Sequence, residues 1–267
     1  MGEEDYYGHD GEGAGEDSYE EDVREKLIEL FERNQKKVFF SRQLEVRLED
    51  NYFHWISNRA IRALIAEGVI KEETRPLRSA GEIHLLWHPS LRYYKREAAS
   101  VVKLVEEYSN PNIAGAIGLH GETMVLEGFA RNEFVMKGRN ARSYGGKEWK
   151  TTGHNLDFIF ERDDVAYGVE VKNTLGYMEQ EELRAKVEMC KWLGIKPVFV
   201  ARMLPRTWIN EVIEGGGFAL IIKYQLYPWT HKEVAARVAK VLGLPVDAPK
   251  ALAEGTMRRF VKWHEGM

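Results

Sequence analysis

The sequence predicts a chain of the α/β class, in which a small helical domain precedes a mixed sheet flanked by helices. Three observations point there. Residues 155–161 and 165–172 alternate apolar and polar side chains with a period of two and are joined by a short turn, which is the pattern of a β-hairpin. Strand signals at 196–202 and 217–223 then alternate with helical ones at 179–193 and 230–242, and a further helix is expected before the hairpin at 112–128. Residues 21–90 differ from this: three helical patterns come first and two short strands follow.

Composition supports a folded body with a separate tail. Of 267 residues, 44% are hydrophobic and 30% are charged. Residues 1–22 hold ten acids and no Lys or Arg, so a net charge of −4 becomes about +6 for the remainder. Residues 1–20 are expected to be a disordered acidic tail, because like charge and several glycines leave little to bury. The mildly basic body permits nucleic-acid binding without requiring it. Cys190 is the single cysteine, which excludes a disulfide framework and a cysteine-based zinc site. No apolar run approaches membrane-spanning length, and the acidic start is unlike a secretory signal. The expectation is a cytoplasmic, nucleoid-associated protein with no membrane partner.

In the first part, Val23, Leu27, Leu30 and Phe31 share one helical face. Ser41 is expected to cap a short second helix through Leu44, Val46 and Leu48. A third helix from about Phe53 to Glu67 turns Ile56, Ala60, Ile61, Leu64 and Ile65 inward and ends at Gly68. Val69–Lys71, a turn from Pro76 to Gly81, and Ile83–Trp87 then form two strands. Three helices and a two-stranded wing over 21–90 resemble a winged helix-turn-helix. That resemblance implies a third helix seated in the major groove, with His54, Ser57, Asn58, Arg59 and Arg62 as donors to bases and phosphates. Small winged helices also serve as protein-docking modules, and fold does not fix which. A connecting helix is expected over 91–110, where Ser109-Asn110-Pro111 stops one helix and starts the next.

The chemistry gathers on the hairpin. A two-residue turn at Asp163-Asp164 sets Arg162 opposite Val165. Counting outward, Asp157 falls opposite Glu170 and Asn155 opposite Lys172, with Leu156, Phe158, Phe160, Tyr167, Val169 and Val171 on the reverse face. Directly opposed Cβ atoms stand about 4.5–5.5 Å apart, so two carboxylates there repel. A divalent cation removes the conflict, and Mg²⁺ suits one or two carboxylates with its remaining waters left for phosphate. Lys172, two residues beyond Glu170, shares that face. Its ammonium can orient an attacking water and offset transition-state charge, and its neutral amine can deprotonate that water.

Asp157, a spacer of twelve residues, and then Glu170-Val171-Lys172 on a hairpin resemble the PD-(D/E)XK nuclease superfamily, which includes type II restriction enzymes and archaeal Holliday junction resolvases. The resemblance covers about residues 112–222. Leu156 stands where the proline of the motif would be, a departure that many members share. It implies a restriction-endonuclease-like sheet and hydrolysis of DNA phosphodiester bonds with Mg²⁺ or Mn²⁺. It adds Glu122 as an acid from the preceding helix, the Val171 carbonyl as a further metal ligand, and Gln180 as a contact to water or phosphate. For Glu122, the other reading is a Glu paired with a nearby Arg. For Gln180, helix N-terminal polarity is an equal reading. The expected divisions are a nuclease domain over 111–228 and a C-terminal helical extension over 229–267.

Residues 131–150 hold six basic side chains (Arg131, Lys137, Arg139, Arg142, Lys147, Lys150) among Tyr144 and Trp149, with Gly145-Gly146 as a turn. They are expected to form an arm on the DNA backbone, the other reading being a solvated β-ribbon. Cys190 shares a helix face with Leu183 and Val187 and reads as core, and His120 and His154 lack a third ligand for zinc. Cutting both strands needs two sites, which makes a homodimer the natural assembly. Sequence-specific and junction-specific cutting remain open. So do a DNA-binding regulator with a non-catalytic second domain, a nuclease acting on RNA, and one working only within a larger complex.

Overall fold

The computed structural model describes residues 13–78 and 81–267. The chain divides into two compact units, Met1–Glu106 and Glu107–Met267. Of the acidic tail expected over 1–20, residues 1–12 lie outside the described residues, and the rest begins the first helix.

The first unit runs α1 (Gly13–Arg33), β1 (Val38–Phe40), α2 (Ser41–Leu48), α3 (His54–Ala66), β2 (Lys71–Pro76), β3 (Glu82–Trp87) and α4 (Tyr94–Tyr108), the last turn of α4 passing into the second unit. Its core joins Val23, Leu27 and Phe31 of α1 to Ile56, Ala60, Ile61 and Leu64 of α3, as their spacing of three and four requires. Ser41 is not the cap of α2 but its first residue. The N-terminus is tied instead by Gln43, whose Oε1 accepts the Phe40 N–H at 3.3 Å. Gly68, at φ 74°, ends α3 in the left-handed turn that glycine adopts without strain. The sheet has a third strand that the sequence hid: β1 pairs antiparallel with β3, on the side away from β2. Three apolar residues are too few to show a period.

The second unit continues with α5 (Pro111–Arg131), β4 (Val135–Ala141), β5 (Ser143–Tyr144), β6 (Lys147–Glu148), β7 (Leu156–Arg162), β8 (Val165–Lys172), α6 (Gln180–Leu193), β9 (Lys196–Ala201), α7 (Arg206–Glu214), β10 (Phe218–Ile221), β11 (Gln225–Leu226), α8 (Lys232–Arg237), β12 (Val246–Asp247) and α9 (Glu254–Glu265). Asn110 caps α5 through a side-chain bond from the Asn112 N–H at 3.0 Å, with Pro111 at the first helical position. Five strands make a mixed sheet in the order β10-β9-β8-β7-β4: β8, β9 and β10 are parallel, β7 and β4 antiparallel. One face packs against α5 and α9 through Phe129, Met257 and Phe260, which meet Phe158, Phe160, Tyr167 and Val169. The other packs against α6 and α7 through Leu183, Met189, Cys190 and Val212. The C-terminal segment is therefore not an extension, since α9 completes a core wall.

The β7–β8 ladder runs from Arg162↔Val165 to Phe158↔Val169, as the sequence register requires. Asp163 and Asp164 both have positive φ, 51° and 59°, the turn whose twist matches a hairpin. The alternation fails at one point. Leu156 lies not with Phe158 but on the opposite face, packed with Met189 and Cys190 over Gly168. The ladder has ended by then: the Asp157 side chain, not its backbone, accepts the Val171 N–H, and no Asn155–Lys172 pair forms. Among the described residues no helix is long and apolar enough to cross a membrane.

Candidate metal centre on the sheet

On the α6 face, β8 presents Ala166, Gly168, Glu170 and Lys172 in sequence. At the turn end the side chains are small, and a Cβ on Gly168 would stand 2.6 Å from Cys190 Sγ, so α6 lies close. At the other end they are charged. Glu170 is 3% exposed, in the interior of a five-stranded sheet. Ionised carboxylates are held in such places only by counter-charge.

Two lysines supply it. Lys172 Nζ lies 3.3 Å from Glu170 Oε1 and 2.9 Å from Glu182 Oε1. Lys186 Nζ lies 2.5 Å from Glu170 Oε2 and 3.0 Å from Glu182 Oε1. Glu170 Oε2 therefore has Lys186 as its partner, in a short charge-assisted contact. The two carboxylates and two ammoniums close a ring. Glu182 and Lys186, four apart on α6, were not foreseen. The available signal was a lysine on the same helical face as Leu183 and Cys190, a position too apolar for an unpaired charge.

Asp157 stands beside this ring. Its carboxylate accepts the Val171 N–H at 2.7 Å, and burial raises its pKa against the opposing pull of that bond and of Lys186. Glu170 is pushed up to about 7, by burial first and then by the Asp157 charge. Burial works to lower the Lys172 pKa, but Glu182 and Glu170 more than offset it, and the ammonium is held more firmly than usual.

The other expected members fare unequally. Glu122 gives its carboxylate to Arg139 at 3.0 Å and bears on Asp157 through charge rather than as a neighbour in a three-acid cluster. Gln180 is turned away: its amide donates to Glu211 at 2.7 Å, in a group completed by Arg184. Glu211 belongs to α7, a nine-residue helix that carries no clear start signal in the sequence. Val171 keeps its place between the two acids, its N–H spent on Asp157. Asn173, the next residue after Lys172, is buried and donates to the carbonyls of Ile117 and Leu226 while accepting the Leu226 N–H. It locks α5 and β11 to the charged end of β8.

The arm over 131–150 is largely an edge of the fold. Residues of β4 pair with β7, Trp149 is buried, and Gly145-Gly146 make a tight turn at φ 57° and 80°. Lys137 pairs with Glu161 and Lys150 with Glu148. Arg142 donates to the carbonyls of Thr152 and His154, and Lys147 to that of Trp192. On α3, Ser57 is fully buried and so is not presented to DNA. Asn58 donates to Glu45 at 3.3 Å, and Arg59 pairs with Glu20 and lies over Trp55. Arg62 and Arg59 are exposed, and His54 is half-buried. Cys190 is core, and burial pushes its thiol up.

Among the described residues no three of His, Cys, Asp or Glu stand together as a ready cation cage. Two carboxylates stand at this end of β8, the buried one of Glu170 and the half-buried one of Asp157, and they act on each other through charge. That set fits a hard dication retaining its own waters, and does not fit a closed zinc site. No family model matches the chain, and no curated protein or solved structure matches it either.

Proposed function

We propose that this chain is a metal-dependent endonuclease that hydrolyses DNA phosphodiester bonds at Asp157, Glu170 and Lys172. The observation that carries the reading is the burial of Glu170 beside Asp157 and Lys172 at the carboxyl end of a parallel strand, on a sheet face that is otherwise core. The second unit is read as a restriction-endonuclease-like fold and the first as a winged helix-turn-helix. Asp157 and Glu170 would hold Mg²⁺ or Mn²⁺, with the Val171 carbonyl alongside and Glu122 lending charge. When bound, the ion polarises phosphate and acidifies its water. Lys172, kept cationic by Glu182, orients the attacking water and offsets charge on the phosphate in flight; its raised pKa favours this over taking a proton. Arg59 and Arg62 of the first unit would meet DNA, and a homodimer would bring two sites to two strands.

One observation favours a second reading. The ring of Glu170, Lys172, Glu182 and Lys186 is already balanced in charge, as a non-catalytic scaffold of a DNA-binding regulator would require. A cleavage assay separates them. Linear, single-stranded and branched DNA are incubated with Mg²⁺, Mn²⁺ or EDTA. The expected result is a metal-dependent cut, abolished by EDTA and by Lys172→Ala. DNA binding that persists in EDTA with no cut on any substrate would leave the regulator.

A further inference from the structure

We infer that Lys186 is an internal counter-cation that occupies Glu170 until a dication arrives, and that Glu182 is the acceptor to which it withdraws. This rests on the reading of Asp157 and Glu170 as metal ligands.

A site with two acids needs one lysine beside the water, and Lys172 fills that place. Lys186 is a second one, only 4% exposed, carried on the inner face of α6. Burying an ammonium costs solvation, so its position requires an anion. Its contact is Oε2 of Glu170, at 2.5 Å. Lys172 lies farther off, 3.3 Å from the other oxygen. A dication taken up on Oε2 and the Lys186 ammonium 2.5 Å from that same oxygen repel each other strongly in a dry site. One of them must leave.

Lys186 has somewhere to go. Glu182 lies one helical turn earlier, and its Oε1 is already 3.0 Å from Nζ. The lysine stem turns about its own bonds, so the exchange needs no movement of α6. Lys172 stays on the same oxygen at 2.9 Å, so one carboxylate then serves both ammoniums. The charge ring thus stores the site in a closed, neutral form and opens by a change of partner. It sets a threshold for cation affinity.

Mn²⁺ binding to the whole chain, followed by the electron paramagnetic resonance of the free ion, reads this directly without any turnover. Lys186→Met removes the charge and keeps an unbranched stem; it is expected to tighten binding about tenfold. Glu182→Gln removes the anionic refuge and is expected to weaken it by a similar factor. Asp157→Asn is the background. Thermal unfolding of each variant checks folding, and Lys186→Gln replaces the Met variant should that one fail to fold. Equal or weaker binding in the Lys186 variant, with wild type above background, would overturn the counter-cation alone. Binding no better than Asp157→Asn in wild type and Lys186 variant alike would overturn the ligand assignment beneath it.

Discussion

Glu170 carries a cost that depends on pH, and the sign of that dependence is unusual. In the unfolded chain its proton leaves near the ordinary value of 4.5, whereas in the folded chain it is held to about 7. Between those values the folded state binds more protons than the unfolded state. Stability therefore falls as pH rises through the window, by about 3 kcal/mol in all. Below 4.5 the carboxyl is neutral in both states and the cost is absent. Glu170→Gln should remove this slope, so the difference in unfolding free energy between wild type and variant is the quantity to follow in urea titrations from pH 4 to 8. A difference that stays flat from 4.5 to 7 would show that Glu170 is not the buried acid described here. A cation bound to the ionised carboxylate releases the same proton, so cation affinity should rise over this range and level off above it.

At the scale of elements, the charged end of β8 is fixed by a neutral residue. Asn173 spends both amide hydrogens on Ile117 and Leu226 carbonyls, at 2.8 and 2.7 Å, and its oxygen on the Leu226 N–H at 2.7 Å. Gly121 makes the approach possible, for a Cβ there would fall 2.5 Å from Asn173 Cβ. Asn173→Ala orphans the Leu226 N–H and C=O at about 1–3 kcal/mol each and strips the Ile117 carbonyl of its second donor. Asn173→Asp keeps one acceptor but turns a carboxylate towards two carbonyls, so it should be no milder. Equilibrium denaturation ranks them, and an Asp variant clearly more stable than the Ala variant would contradict this account. None of this could be read from the sequence, because an Asn in that place reads as an ordinary strand end. Other elements were legible for physical reasons. The hairpin register followed from its alternation and from the Asp163-Asp164 turn, and α5 from its Asn-Pro start. Leu156 misled because alternation assumes an unbroken ladder, which Asp157 interrupts. Ser57 misled because its hydroxyl made a core position look polar. Gln180 and Lys186 share α6, but distinguishing them requires knowing that α7 stands near one and the charged end of β8 near the other.

For the whole molecule, the question is what holds each unit together. One core cluster of the first unit joins residues between Val23 and Leu86, and one of the second joins residues between Met124 and Phe260. The second unit depends on its last helix. The Phe260 ring lies 5.0 Å from that of Phe129, 5.2 Å from Phe134, 5.3 Å from Tyr167 and 5.5 Å from Phe218. His264 of the same helix meets the Tyr167 hydroxyl at 2.6 Å and the hairpin turn at Asp163 at 2.9 Å. Phe260→Ala should cost about 3–5 kcal/mol, a large share of the roughly 5–15 kcal/mol that stabilises a domain. A fragment of residues 109–267 is expected to fold and unfold cooperatively. A fragment of 109–253, lacking α9, exposes Phe129, Phe134 and Tyr167 together and should not fold. Circular dichroism melts and amide dispersion in proton spectra decide between them. Cooperative melting of the shorter fragment at the midpoint of the longer one would make α9 an appendage after all, and the sheet that carries Asp157 and Glu170 would then be stable without it.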